Sequence, residues 1–330
     1  MHATGLGSLP GTDFPGALRW VLDEVGPHAF LPELPARGPG SGIVGRAVAL
    51  LDGLGADLQP SGWRLTSGHG ADQRRALAQW RRDLDDLEEA AAGYDGELRV
   101  AIAGPLTLAA SISRPLGDLA LADHGARREL AESLAAGAAT ALAEIARRLP
   151  SATVTAQVDE PMLPMVLAGG VPTASGFSRH RPVADGEATA SLRTLREALG
   201  GTTHDVVLHC CAPGLDLEVV RRAGVGGVSV AAGTLGSGDW DAVGHWLEGG
   251  GEVVLGVLAS DVPDHLPGLD DVVRATVRWL GRLELDPDLV DERVSLSPAC
   301  GLGLWTTGPA RAALGLVRRA APLVAEQLSR

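Results

Sequence analysis

At 330 residues the chain can form one large α/β barrel or two ordinary domains. Hydrophobic residues make up 45% and charged residues 21%, so a sizeable core can be buried and disorder is excluded as the dominant state. The formal charge of -13 argues against nucleic acid and anionic membranes as partners, because both favour a basic surface.

Short β-like runs alternate with Ala/Leu/Arg-rich helical stretches along the whole chain. In order, the expected strands are Ala3–Leu9, His28–Leu34, Leu98–Gly104, Thr153–Asp159, Asp205–Cys211, Gly226–Ala232, Glu252–Ala259 and Arg293–Pro298. Helical periodicity marks Gln73–Ala92, Ala126–Arg148, Ala188–Leu199, Leu217–Ala223, Asp239–Glu248, Leu269–Leu280 and Pro309–Leu328. Strands alternating with helices predict parallel βαβ units, and eight of them predict a (β/α)8 TIM barrel. The expected organisation is one α/β domain over residues 1–330, with insertions at about 35–97 and 105–150. Pro35 to Gly42 is rich in glycine and proline and reads as an irregular loop. An open doubly wound sheet is disfavoured, because Gly5 to Pro10 lacks the third glycine of a phosphate-binding turn.

No apolar run approaches the roughly 20 residues that span a bilayer. The start, MHATGLGSLPGTD, has no charged-then-apolar signal pattern. Three cysteines, two of them adjacent, make no disulfide framework and point to a reducing compartment. The expected location is the cytoplasm.

Active sites of such barrels lie where strands end and helices begin. The fifth expected strand ends in His209, Cys210 and Cys211. Residues two apart on a strand share a face, so His209 and Cys211 point one way and Cys210 points to the helical layer. An imidazole and a thiolate side by side suit a soft divalent metal such as zinc. The alternative is a pair of small buried hydrophobes beside a hydrogen-bonded histidine. Cys300 again falls at a strand end, followed by Gly301-Leu302-Gly303, which places all three cysteines at one mouth.

Asp159 ends the fourth strand on the face of Gln157, and can hold a substrate ammonium, act as a base or cap a helix. Glu33 is a similar carboxylate after the second strand, or a solvated loop charge. The turn from Gly7 to Thr12 can offer backbone N–H groups to a carboxylate, or be an ordinary turn.

Four of these segments together resemble the catalytic half of cobalamin-independent methionine synthase, within the barrel superfamily that includes uroporphyrinogen decarboxylase. Gly7 to Pro10 resembles the family's glycine-serine-aromatic-proline start. Gly104-Pro105-Leu106-Thr107 is similar to its glycine-proline-x-threonine strand, and Gln157 to Pro161 to its glutamine-x-aspartate-glutamate-proline signature. His209, Cys211 and Cys300 resemble its zinc ligands. The ordered set spans residue 4 to about 303.

The resemblance implies a (β/α)8 barrel and a Zn2+ ion that binds a substrate thiol, homocysteine, which receives a methyl group. It also implies that Asp159 and Glu33 hold the amino group and that the Leu6, Gly7 and Ser8 backbone holds the carboxylate. Three features depart from the family pattern. Its glutamate ligand corresponds to the neighbourhood of Ala231, and its folate-stacking tryptophan to Ala109 to Ile112. The position of its catalytic histidine is approached only by Asp261, a weak catalytic candidate. The methyl donor is therefore open between a folate, as in methyltetrahydropteroyltriglutamate–homocysteine methyltransferases, and a corrinoid. Zinc-dependent alkylation of another thiol, and a non-catalytic barrel that binds a small amino acid, are the alternative functions.

Overall fold

The computed structural model describes residues 1–200 and 206–330. Among the described residues nine strands occur, in the order β1 (His28–Phe30), β2 (Gly55–Gln59), β3 (Gly62–Thr66), β4 (Glu97–Ala103), β5 (Thr153–Asp159), β6 (Val206–Cys210), β7 (Gly227–Ala231), β8 (Glu252–Leu258) and β9 (Val294–Pro298). Seven of them form one parallel sheet, ordered β1-β4-β5-β6-β7-β8-β9, while β2 and β3 make an antiparallel hairpin. The expected start of β6 at Asp205 lies outside the described residues.

The strand sequences explain this arrangement. Alternate residues of β4, β6 and β9 (Leu98, Val100, Leu208, Leu296) are fully buried, and their faces carry the apolar core. Burying each leucine contributes about 1.5–3 kcal/mol by transfer. The opposite face carries small and polar residues instead, among them Thr155, Gln157, His209, Ser229 and Ser297, all buried. Leu6, Val207 and Val254 form an apolar cluster separate from the main core.

Two expectations are corrected at the first strands. Ala3–Leu9 is not a regular strand: it makes only single parallel bridges, Ala3 to Leu296 and Ser8 to Glu33. Gly7 explains the break, since its φ of 97° lies in the left-handed region that favours glycine. The second strand stops at Phe30 rather than Leu34, where Pro32 removes a ladder donor. Even so, Thr4 N donates to Leu296 O (2.9 Å), Leu9 N to Glu33 O (2.8 Å) and Glu33 N to Gly7 O (2.9 Å). The Ala3–Leu9 segment thus bonds to β9 at one edge of the curled sheet and to the chain leaving β1 at the other.

The seven expected helices are present as Ala71–Ala90, His124–Arg148, Asp185–Leu199, Leu217–Arg222, Ser237–Glu248, Leu269–Leu280 and Thr307–Leu328. Further helices occur at Phe14–Val25, Ile43–Leu50, Pro105–Ala109, Leu163–Leu167 and Pro287–Arg293. The first of these begins at Asp13, whose side chain accepts from Gly16 N, with proline in the first turn. No helix among the described residues is long and apolar enough to cross a membrane.

Candidate metal centre

The ends of β5, β6 and β9 and the loop after β1 surround a cleft of about 460 Å³. Its lining includes Leu6, Ser8, Glu33, Asp159, His209, Cys211, Asp261 and Cys300. The expected metal ligands, the two expected carboxylates, Leu6, Ser8 and Asp261 therefore border one cleft. Gly7 sits between two of them and supplies the bend that its neighbours need.

Parallel register explains how distant residues meet. Asp159 on β5 is level with His209 on β6, which is level with Ser229 on β7. Cys300 follows β9 and is brought over by Gly301, where an added Cβ would come 2.5 Å from the Ser8 Cβ. Leu302 N then donates to Ser8 O at 2.7 Å, tying this loop to the N-terminal segment.

One donor atom from each of His209, Cys211 and Cys300 lies within 4.8 Å of the others. His209 is buried, with Nδ1 3.0 Å from Ser229 Oγ. Its Nε2 finds no hydrogen-bond partner among the described residues, an unusual state for a buried polar atom. Contact with the Cys300 thiol, and then with His209, brings the Cys211 thiol down to about 4. The same contact pushes Cys300 up, so Cys211 ionises first. Burial works against charge on His209, but the Cys211 sulfur and the Asp159 carboxylate outweigh it and leave the imidazole raised. Cys210 points the other way, as expected, and lines a separate pocket with Leu217, Val230 and Val243. Burial raises its thiol to about 12.

A soft, partly ionised sulfur pair beside an unpartnered imidazole nitrogen is a donor set that fits zinc.

Two carboxylates share the cleft. Burial raises Asp159 to about 7, against the opposing influence of His209 and a 2.7 Å bond from Gln157 Nε2. Glu33 is also raised by burial, although Ser8 Oγ donates to it at 2.9 Å and Arg46 Nη1 stands 3.9 Å away. Glu33 thus has the Arg46 guanidinium at the edge of ion-pair distance, and Asp159 has the His209 imidazole on the neighbouring strand.

The family model for the catalytic domain of cobalamin-independent synthase matches residues 99–323, more than half of the chain. The chain belongs to this family. The resemblance drawn from the four motifs is thereby borne out, and it points to methyl transfer of the methionine synthase type. No curated protein matches the chain. Among solved structures, a B12-independent methionine synthase from Shewanella sp. W3-18-1, in complex with selenomethionine, is similar at 14% identity and a TM-score of 0.65. That likeness covers 99% of this chain and 98% of the other, and it is a likeness of fold. A methylaspartate ammonia lyase from Clostridium tetanomorphum reaches a TM-score of 0.47 at 11% identity, over 100% of this chain and 60% of that one, too low to bear on function.

As a cobalamin-independent synthase domain, the chain carries supports that sequence reasoning missed. Ser229 holds His209; its place level with His209 has no local signature. Arg46, buried behind Glu33 and stacked over Trp80, is another. Glu160 is the third. Its carboxylate accepts from Leu106 N, Thr107 N and Thr107 Oγ at 2.7–2.8 Å, stapling the Pro105–Ala109 helix to β5. Burial nevertheless raises this acid to about 7. A glycine-proline helix start facing an Asp-Glu pair was the available clue. Continuing the pairing of His209 with Ser229 and Cys210 with Val230 by one residue places Ala231 alongside Cys211. No carboxylate therefore occupies that position. Asp261 borders the cleft from the loop after β8, where Trp305 Nε1 donates to Ser260 O at 2.7 Å.

Proposed function

We propose that this domain transfers a methyl group to the sulfur of a small thiol, homocysteine, at a zinc ion held by His209, Cys211 and Cys300. The observation that carries the reading is the meeting of those three donors in the same cleft as two buried carboxylates, both raised by burial. We also take the sheet to function as a closed (β/α)8 barrel, with Ala3–Leu9 as its eighth staves' worth of backbone, and the chain to act as a single domain.

When bound, zinc favours the thiolate of a thiol whose free pKa is about 8.5. The chain's own groups do the rest. Asp159 and Glu33 receive the substrate ammonium, whose charge favours their ionised forms against the burial that opposes them. Gln157 holds Asp159 in place and reaches Leu6 O at 3.4 Å, coupling the ammonium pocket to the Leu6–Ser8 segment. That segment, bent at Gly7, presents backbone groups to the substrate carboxylate. A substrate fixed at both ends has its sulfur directed to the cysteine side of the cleft, which is the contribution of orientation to rate. In the transfer a carbon–sulfur bond forms as the donor's bond to methyl breaks, and the thiol proton is released to solvent. With Ala109 to Ile112 in place of a stacking aromatic, the donor is a corrinoid or a folate bound without that stack.

Metal analysis of untagged protein, followed by titration with homocysteine, tests the reading. It expects zinc in the native protein and homocysteine binding that disappears when the metal is removed. Metal-free native protein that binds homocysteine no better than alanine would overturn it.

A further inference from the structure

We propose a second metal site, for a divalent transition-metal ion, at the opposite pole of the sheet, formed by His2, His28 and Glu97. The strand starts there enclose a cavity of about 300 Å³, lined by these three residues and by Arg99, Thr155 and Glu252. It is separate from the cleft, whose lining comes from the strand ends. Val207 and Val254, from the apolar cluster with Leu6, also border it.

One donor atom from each of His2, His28 and Glu97 falls within 4.8 Å of the others. The two imidazoles are stacked, with centroids 3.7 Å apart and planes inclined by 17°. Glu97 Oε1 is held from behind by Arg99 Nη2 (2.9 Å) and Thr155 Oγ1 (2.8 Å). Its Oε2 is turned toward His28 Nδ1 at 3.1 Å. One carboxylate oxygen is thus anchored and the other presented, the arrangement in which supporting groups orient a ligand. Two imidazoles and one carboxylate suit zinc, nickel or copper better than magnesium or calcium. Asp95, Glu252 and Glu292 border the same cavity and offset the charges of Arg99 and Arg293 toward a bound cation.

The placement suggests what the ion does. His2 belongs to the segment that bonds β9, since Leu296 N donates to His2 O at 2.8 Å. His28 opens β1, and Glu97 opens β4. An ion bound by all three ties the irregular closing segment to β1 and to β4 beside it, and would be structural.

The test uses untagged full-length protein titrated with Zn2+ and with Ni2+ by calorimetry, with thermal unfolding in parallel. In the Cys211→Ser/Cys300→Ser background the expected result is one equivalent of bound metal and a Tm raised by several degrees. Adding His28→Ala or Glu97→Gln should weaken that binding at least tenfold and abolish the Tm shift. Wild-type protein keeps the test independent of the cysteine variant's folding: it should lose one equivalent of metal on His28→Ala. Metal binding that neither His28→Ala nor Glu97→Gln alters, or no binding in a folded Cys211→Ser/Cys300→Ser variant, would overturn the site. Wild-type protein with a single equivalent that His28→Ala removes would support this site and count against the cysteine centre, so the two readings fail separately.

Discussion

Ser229 Oγ and His209 Nδ1, on adjacent strands, lie 3.0 Å apart. With Nδ1–H donating to the serine, the lone pair of the imidazole is left on Nε2, the buried atom without a partner. Ser229→Ala frees the ring to turn and to change tautomer. Zinc affinity is expected to fall roughly tenfold or more, the usual effect of losing a group that orients a metal-bound histidine. Competition with a chromophoric chelator measures it, and unchanged affinity would show that the serine is a mere packing neighbour.

The two faces of β6 make opposite predictions for its adjacent cysteines. Cys211→Ser should empty the centre, as should Cys300→Ser, because a hydroxyl is a poor substitute for a thiolate toward zinc. Cys210→Ser should keep its metal and instead lose about 1–3 kcal/mol of stability, since it buries a hydroxyl among Leu217, Val230 and Val243. Zinc content and urea unfolding, read on all three variants, separate the two effects.

Asp159 ties ligand affinity to pH. Burial raises its carboxyl to about 7, and an ammonium group binds only the ionised form. Below that pH, binding must first remove a proton, so affinity is expected to weaken by up to roughly tenfold per pH unit. Above it, affinity should level off. Methionine is the suitable ligand because it has no thiol proton of its own. Calorimetry between pH 5.5 and 8.5 should show this slope in the native protein and its loss in Asp159→Asn.

Glu160 is expected to matter for stability first. Its carboxylate takes three donors from Leu106 and Thr107 inside the protein. An amide in its place turns one acceptor into a donor facing donors. Glu160→Gln should cost about 1–3 kcal/mol, the cost of leaving a buried group unsatisfied. A midpoint in urea equal to that of the native protein would refute the staple.

Much of this was legible in the sequence because the signals were local. Thr153–Asp159 is a strand as read, bounded by the proline at 161. His209 and Cys211 share a face because strands alternate, and that alone separated Cys210 from them. What failed to show was whatever depends on partners distant in the chain. The β2–β3 hairpin mixes Asp57, Gln59 and Arg64 among its apolar residues and offers no clean alternation. Ser229 takes its role from strand register, which leaves no trace in its neighbours, and Glu160 from a helix some 50 residues away, marked only by the glycine-proline start at Gly104. Ala3–Leu9 reads as a strand by composition, and only Gly7 hints that it bends.

That bent segment also has a consequence for how the protein is made. Its bond from Thr4 to Leu296 joins residues nearly 300 positions apart, so Thr4 leaves the ribosome long before its partner does. The rest of the sheet can pair in chain order meanwhile. Contacts of such long range are slow to form, because the entropy of closing the loop is lost before the contact is gained. Cys300 and the bond from Leu302 to Ser8 arrive only with that late stretch, so the third sulfur of the candidate centre joins His209 and Cys211 well after β6 can form.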